Sequence, residues 1–270
     1  MLPDICAYQL PVDIDQARSV QSVGTSDFLA LERGSNSVVY AWDSDGDGVP
    51  ESRKILASAP SLNHGLAVYG NYLYASSSSH VYRWPLFNSN NNENLSSSGN
   101  VTGFVFDETT TVGESEVVIN NINEDGMGGA PFGHTTRTLV FDDEGRIYVS
   151  VGSNENIDPD SFRSRIRRFL IEGGNEEEDM LGFPLDFLQG EVFADGLRNE
   201  VGLAFDRHGD LWGVENSADK LFRSDLGGDI HQDNPVSSVW WTGRAVDVVG
   251  IFSNTHFNYS IHFVFVRRKN

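Results

Sequence analysis

Cys6 is the only cysteine in the sequence, so no internal disulfide can staple the fold, and cysteine usage leaves the redox compartment open. No apolar run approaches the roughly 18 residues that a bilayer-crossing helix needs, and a membrane span is not expected. The first residues, Met1-Leu2-Pro3-Asp4-Ile5-Cys6, lack the basic-then-apolar order of a secretory leader. Positive charge is scarce too: 19 Lys and Arg stand against 39 Asp and Glu, a formal net charge of −20. Such a surface repels phosphate backbones and anionic lipids, which argues against nucleic acid as a partner. Long helix-forming stretches are also missing.

What is present reads as strands and turns. The 27 Gly and 9 Pro, with many Ser, Asn and Asp, punctuate short runs of Val, Ile, Phe, Tyr and Leu. One phrase recurs: an apolar triplet, a short polar turn, then an alternating strand with an aromatic residue. It occurs as Leu66-Ala67-Val68 before Tyr72-Leu73-Tyr74-Ala75, as Leu139-Val140-Phe141 before Arg146-Ile147-Tyr148-Val149, and as Leu203-Ala204-Phe205 before Asp210-Leu211-Trp212-Gly213. A looser copy is Phe28-Leu29-Ala30-Leu31 followed by Ser37-Val38-Val39-Tyr40-Ala41-Trp42. The copies at Leu66, Leu139 and Leu203 start 73 and 64 residues apart, enough for four strands plus long loops, so each copy reads as one blade of an all-β propeller. About four blades fit into the chain at roughly 65 residues each.

Residues 1–238 therefore read as an incomplete propeller, and residues 239–270 as an atypical tail. The tail holds four basic residues (Arg244, Arg267, Arg268, Lys269) and one acidic (Asp247), and the turn phrase is missing from it. It is either a closing strand or a segment foreign to the fold.

Two motifs could carry chemistry. Asp43-Ser44-Asp45-Gly46-Asp47-Gly48 sets three carboxylates at alternate positions with Gly at the sixth, a spacing that wraps a hard cation such as calcium. Lys54 stands where an EF-hand has its bidentate Glu, so Glu51 would have to complete the shell; the alternative is an acidic hairpin without metal. In Phe132-Gly133-His134-Thr135-Thr136-Arg137, the His134 imidazole at the inner edge of a blade suits general-base work, or else is structural. The arginines Arg163, Arg165, Arg167 and Arg168 are expected to pair with acidic surface.

His134 combines with Gly152-Ser153, the run Arg163 to Phe169, the segment Asp195-Gly196-Leu197-Arg198-Asn199-Glu200-Val201-Gly202-Leu203, and Trp212-Gly213-Val214-Glu215-Asn216-Ser217-Ala218-Asp219. Over residues 17 to 235 this set resembles the soluble quinoprotein sugar dehydrogenases, the glucose, sorbosone and fungal pyranose dehydrogenases that use pyrroloquinoline quinone (PQQ). The resemblance implies a six-bladed propeller holding PQQ and calcium over its central channel, a sugar substrate, an external electron acceptor and a secreted location. It implies that His134 is the base taking the hydroxyl proton as hydride passes to the quinone. It further implies that Arg198 and Asn199 contact the cofactor and that carbonyls near Ser217 and Ala218 bind its calcium, although the glucose dehydrogenases have Gly-Pro at that turn. His64, one repeat earlier in Asn63-His64-Gly65, is expected to face the channel as a cofactor or substrate contact. In this family, later blades supply further basic residues for the cofactor carboxylates. The 270 residues alone are accordingly not expected to bind PQQ tightly or to oxidise sugar, and the competing reading is a non-catalytic binding propeller.

Overall fold

The computed structural model describes residues 10–88, 104–122, 133–158, 163–171 and 182–216, with short backbone strands from there to residue 266. Its first blade is an antiparallel meander of β1 (Ala17–Ser22), β2 (Phe28–Glu32), β3 (Ser37–Trp42) and β4 (Ser52–Ser58). In the second, β5 (Leu62–Tyr69), β6 (Tyr72–Ser77), β7 (Val81–Phe87) and β9 (Glu116–Asn120) follow in order, with the short β8 (Thr111–Val112) on β7. The third is β10 (Leu139–Phe141), β11 (Arg146–Val151), β12 (Arg165–Leu170) and β14 (Glu191–Asp195). Between its last two strands, β13 (Leu185–Asp186) crosses to pair in parallel with β9 of the second blade.

The fourth blade opens with the β15 (Glu200–Phe205) and β16 (Leu211–Glu215) hairpin, followed by a small β17 (Phe222–Arg223) and β18 (Gly228–Asp229) hairpin. Strands from the tail join two blades. β19 (Val239–Trp241) and β20 (Arg244–Val246) extend the third blade beyond β14, and β21 (His262–Val266) pairs with β16.

The repeated phrase has a hydrogen-bonding reason. In the third blade, Asp142 Oδ1 accepts from the N–H groups of Glu144 and Arg146, closing the turn at Gly145 (φ +80°), and its Oδ2 accepts from the Tyr148 hydroxyl at 2.9 Å. The fourth blade repeats the arrangement. Asp206 Oδ1 accepts from His208 and Asp210, Gly209 has φ +78°, and Asp206 Oδ2 accepts from the Trp212 indole at 3.0 Å. In these two copies the aromatic is thus tied to the carboxylate of its own turn, six residues back. In the first blade the looser copy falls one strand later, on β2 and β3, because β1 precedes it as the inner strand.

Blades stack face to face, so their middle strands are buried on both sides and read as continuous apolar runs. Three cores fill the three gaps. Leu29, Leu31 and Tyr40 meet Leu62, Leu73 and Trp84 between the first two blades. Tyr74, Val118 and Ile119 meet Ile147, Val149 and Phe187 between the next two. Tyr148, Ile166 and Leu197 meet Leu211 between the last two. The strands β1, β5, β10 and β15 stand side by side around an open channel of about 560 Å3.

Candidate active site

The channel is lined by the inner strands, and its polar groups include Arg18, His64 and Thr138. His64 Nε2 lies 3.0 Å from the Val201 carbonyl on β15. A carbonyl only accepts, so Nε2 carries the proton and Nδ1 the lone pair. That Nδ1 is buried without a hydrogen-bond partner. Burial lowers the His64 pKa, opposed by the bond to Val201 and reinforced by the Arg18 charge, so the ring is neutral at physiological pH. His64 is among the residues that line the channel, and it reaches β15 two residues beyond Asn199.

His134, Arg198 and Asn199, 64 residues apart in sequence, converge at Gly152. A Cβ built on that glycine would lie 2.7 Å from His134 Cβ, 2.9 Å from the Arg198 carbonyl oxygen and 3.2 Å from Asn199 Oδ1. The three residues pack on bare backbone, which only glycine offers at that spacing. Gly133, immediately before His134, is held at φ +98° with the Asn154 oxygen only 2.2 Å from where a Cβ would stand.

His134 Nδ1 is 2.9 Å from the Ser153 carbonyl oxygen and 3.0 Å from Ser153 Oγ. Ser153 Oγ itself donates to the Glu155 carbonyl at 2.5 Å, so both Ser153 oxygens accept from the ring. The proton of the neutral imidazole is therefore on Nδ1, and Nε2 is the basic nitrogen.

Arg198 is half-buried. Its backbone N–H donates to Glu215 Oε1 at 2.5 Å, its Nε to the Asn156 carbonyl at 3.2 Å and its Nη1 to the Asn216 carbonyl at 3.0 Å. Asn199 is buried. Its Oδ1 accepts from Thr136 Oγ1 at 3.4 Å, and its carbonyl accepts from Asn216 N–H at 2.9 Å. Ser217 and Ala218, which follow Asn216, lie outside the described residues.

Arg137 is a site residue that sequence reasoning missed. It is wholly buried, and it donates to the carbonyls of Ser78 (3.0 Å), His134 (2.9 Å) and Thr136 (2.8 Å). Burial pulls its pKa down to about 9, which leaves it charged at neutral pH. It ties the backbone of the base and of Thr136 after it to the second blade. The one available signal was a guanidinium two residues before the apolar run Leu139-Val140-Phe141.

The carboxylates of Asp43, Asp45, Asp47 and Glu51 do come together, each offering an oxygen within 4.8 Å of the others. Both Asp43 oxygens are already engaged by the N–H groups of Gly46 and Gly48, each at 2.7 Å. This cluster belongs to the β3–β4 hairpin of the first blade, whereas the His134 cluster belongs to the third and fourth. The arginines divide: Arg168 pairs with exposed Glu191 as expected, while Arg165 and Arg167 are buried, the first against Asp195 and the second on the carbonyls of Leu188 and Gly190.

The family model described as TrAA12-like matches residues 2–95 and 86–264. The PQQ-dependent sugar dehydrogenase of Hypocrea jecorina is 33% identical over 251 residues, covering 88% of this chain and 50% of that protein. The PQQ-dependent pyranose dehydrogenase of Coprinopsis cinerea is 28% identical over 236 residues, covering 83% of this chain and 28% of that protein. Among solved structures, the calcium structure of the Trichoderma reesei carbohydrate-active enzyme of family AA12 superposes with a TM-score of 0.61 at 28% identity, covering 89% of this chain and 53% of that one. The holo form of the PQQ domain of the Coprinopsis cinerea pyranose dehydrogenase gives 0.63 at 26% identity, over 85% and 51%. The chain thus spans half or less of the length of the curated relatives it matches. Its repeated blades, its inner-strand channel and a match that runs from residue 2 to residue 264 place it as a β-propeller that belongs to the TrAA12-like family.

Proposed function

We propose that these blades supply the base and one cofactor-holding edge of a PQQ-dependent dehydrogenase acting on the CH–OH group of sugars. The observation that carries this reading is the His134 tautomer: Nδ1 donates to Ser153, so the ring's lone pair lies on Nε2, in the same cluster as Arg198 and Asn199. PQQ is a tricarboxylate quinone, and the donor set present fits it in kind, with a guanidinium and a carboxamide beside an imidazole. Arg198 and Asn199 would hold the cofactor, and carbonyls near Ser217 and Ala218 its calcium.

When bound, PQQ would supply the two-electron oxidant and calcium a Lewis acid that polarises it. The chain's own part is proton chemistry. His134 Nε2 accepts the proton of the sugar hydroxyl, and Ser153 holds the ring while its charge rises. Thr136 keeps the Asn199 carboxamide from rotating, and Arg137 fixes the backbone from which His134 projects. Arg198 spends Nε and Nη1 on backbone carbonyls, an arrangement that also serves a non-catalytic propeller.

Turnover separates the two readings. The full-length natural polypeptide, loaded with PQQ and calcium and offered aldoses with a redox dye, is expected to reduce the dye. His134→Gln is expected to lower kcat by about 10²–10⁴-fold while PQQ affinity stays within a few-fold. Absence of PQQ-dependent dye reduction by the parent protein, or full turnover by H134Q, overturns the dehydrogenase reading.

A further inference from the structure

We propose that Asp158, with its partner Arg163, is a positioning residue that holds His134 and Arg198 in register through the loop Gly152–Asp158. The proposal rests on the functional reading above, and it deepens it by naming what fixes the two groups against each other. The loop follows β11 and touches both of them. Ser153 accepts from His134 Nδ1, the Ser153 N–H donates to the Arg198 carbonyl at 2.7 Å, and the Asn156 carbonyl accepts from Arg198 Nε. A shift of this loop moves the base and the guanidinium together.

Packing does not hold the loop. Ile157, its one large apolar side chain, is 69% exposed, and Glu155 is exposed as well. Polar groups hold it instead. The Asp158 side chain is 1% exposed; its Oδ2 accepts from Asn154 N–H at 2.8 Å and from Arg163 Nε at 2.6 Å, and its Oδ1 accepts from Arg163 Nη2 at 2.8 Å. One carboxylate therefore ties the start of the loop to the chain entering β12. A buried ion pair contributes little net stability compared with apolar packing, but the two-pronged guanidinium fork fixes direction as well as distance.

The cofactor-free protein gives the first test. Nitrogen-15 NMR of the imidazoles, with the His134 signals identified by their loss in His134→Gln, is expected to show the Nδ1–H tautomer in the parent protein. In Asp158→Asn that signal is expected to give way to a mixture with Nε2–H, while the His64 signals stay in place. In the full-length polypeptide, D158N is expected to bind PQQ at least tenfold more weakly, and Arg163→Lys, which keeps the charge, to show a smaller loss. If D158N does not fold, Arg163→Gln is measured in the same way. An unchanged His134 tautomer in the folded variant overturns the proposal. Failure of the full-length parent polypeptide to bind PQQ overturns the functional reading alone, because the tautomer measurement needs no cofactor.

Discussion

At the scale of single residues, Glu200 is a buried acid whose carboxylate has no hydrogen-bond partner. It faces Glu215 across the β15–β16 pair, and the two are 2% and 0% exposed. Burial, and after it the charge of Glu215, raise the Glu200 pKa well above the ordinary carboxylate value. Because the folded state holds this proton more tightly than the unfolded chain does, the stability it allows is complete in acid. It is lost progressively as pH rises from the normal Glu range through the raised folded value. Glu200→Gln removes the titration, so the variant should melt at the same temperature as the parent near pH 4 and at a higher one by pH 8. Thermal melts of both proteins across that range decide it, and a gap that narrows with rising pH would count against the buried-acid account. Neither this pair nor the Arg137 bolt was legible in the sequence. Glu215 lies 15 residues from Glu200 and Ser78 lies 59 from Arg137, and the one local signal, the apolar run after Arg137, does not say that the guanidinium itself is buried.

At the scale of strands, the repeated phrase was legible because its physics is local: a tight turn with a left-handed glycine, and in the third and fourth blades a turn carboxylate with an aromatic six residues on. What the phrase could not give is how closely neighbouring blades approach. Gly65 on β5 shows the limit. Its missing Cβ would lie 2.3 Å from the Arg137 carbonyl, 2.5 Å from Ser76 Oγ and 2.6 Å from Leu139 Cγ, so the second blade meets the third on bare backbone there. Gly65→Ala must push β5 away from β10 and break the Gly65 N–H to Ser76 Oγ bond. A loss of about 1–3 kcal/mol follows from overpacking of that kind. Gly202→Ala on β15, whose nearest neighbour would be Val214 at 3.7 Å, is the matched control and should cost far less. Chemical denaturation of the two variants makes the comparison, and equal losses would mean that the β5–β10 contact is softer than the structure has it. The cluster at Gly152 follows the same logic. The family resemblance marked His134, Arg198 and Asn199 one by one, but the loop that touches both His134 and Arg198, Ser153 to Asp158, carries no periodic pattern, and its contacts are visible only in three dimensions.

At the scale of the whole molecule, the question is what completes the blades. Each middle strand needs a partner on both edges, and an unpaired edge recruits other chains. In the fourth blade, β16 finds its second partner in β21, with Leu211 opposite Val266 and Glu215 opposite His262, while β19 and β20 cover the outer edge of β14. The tail that breaks the sequence pattern thus takes up the pairing positions of outer strands, and the family match continues into it as far as residue 264. Its basic balance fits that role, since it lies against a chain that is otherwise strongly acidic and reduces self-repulsion within the fold. Deleting residues 239–270 is therefore expected to bare the edges of β14 and β16, lower the melting temperature by several degrees and promote self-association. Calorimetry and light scattering on the parent and the shortened protein measure the two effects. A shortened protein that melts unchanged and stays monomeric would show that the tail lies outside the propeller and that the fourth blade is completed by something else.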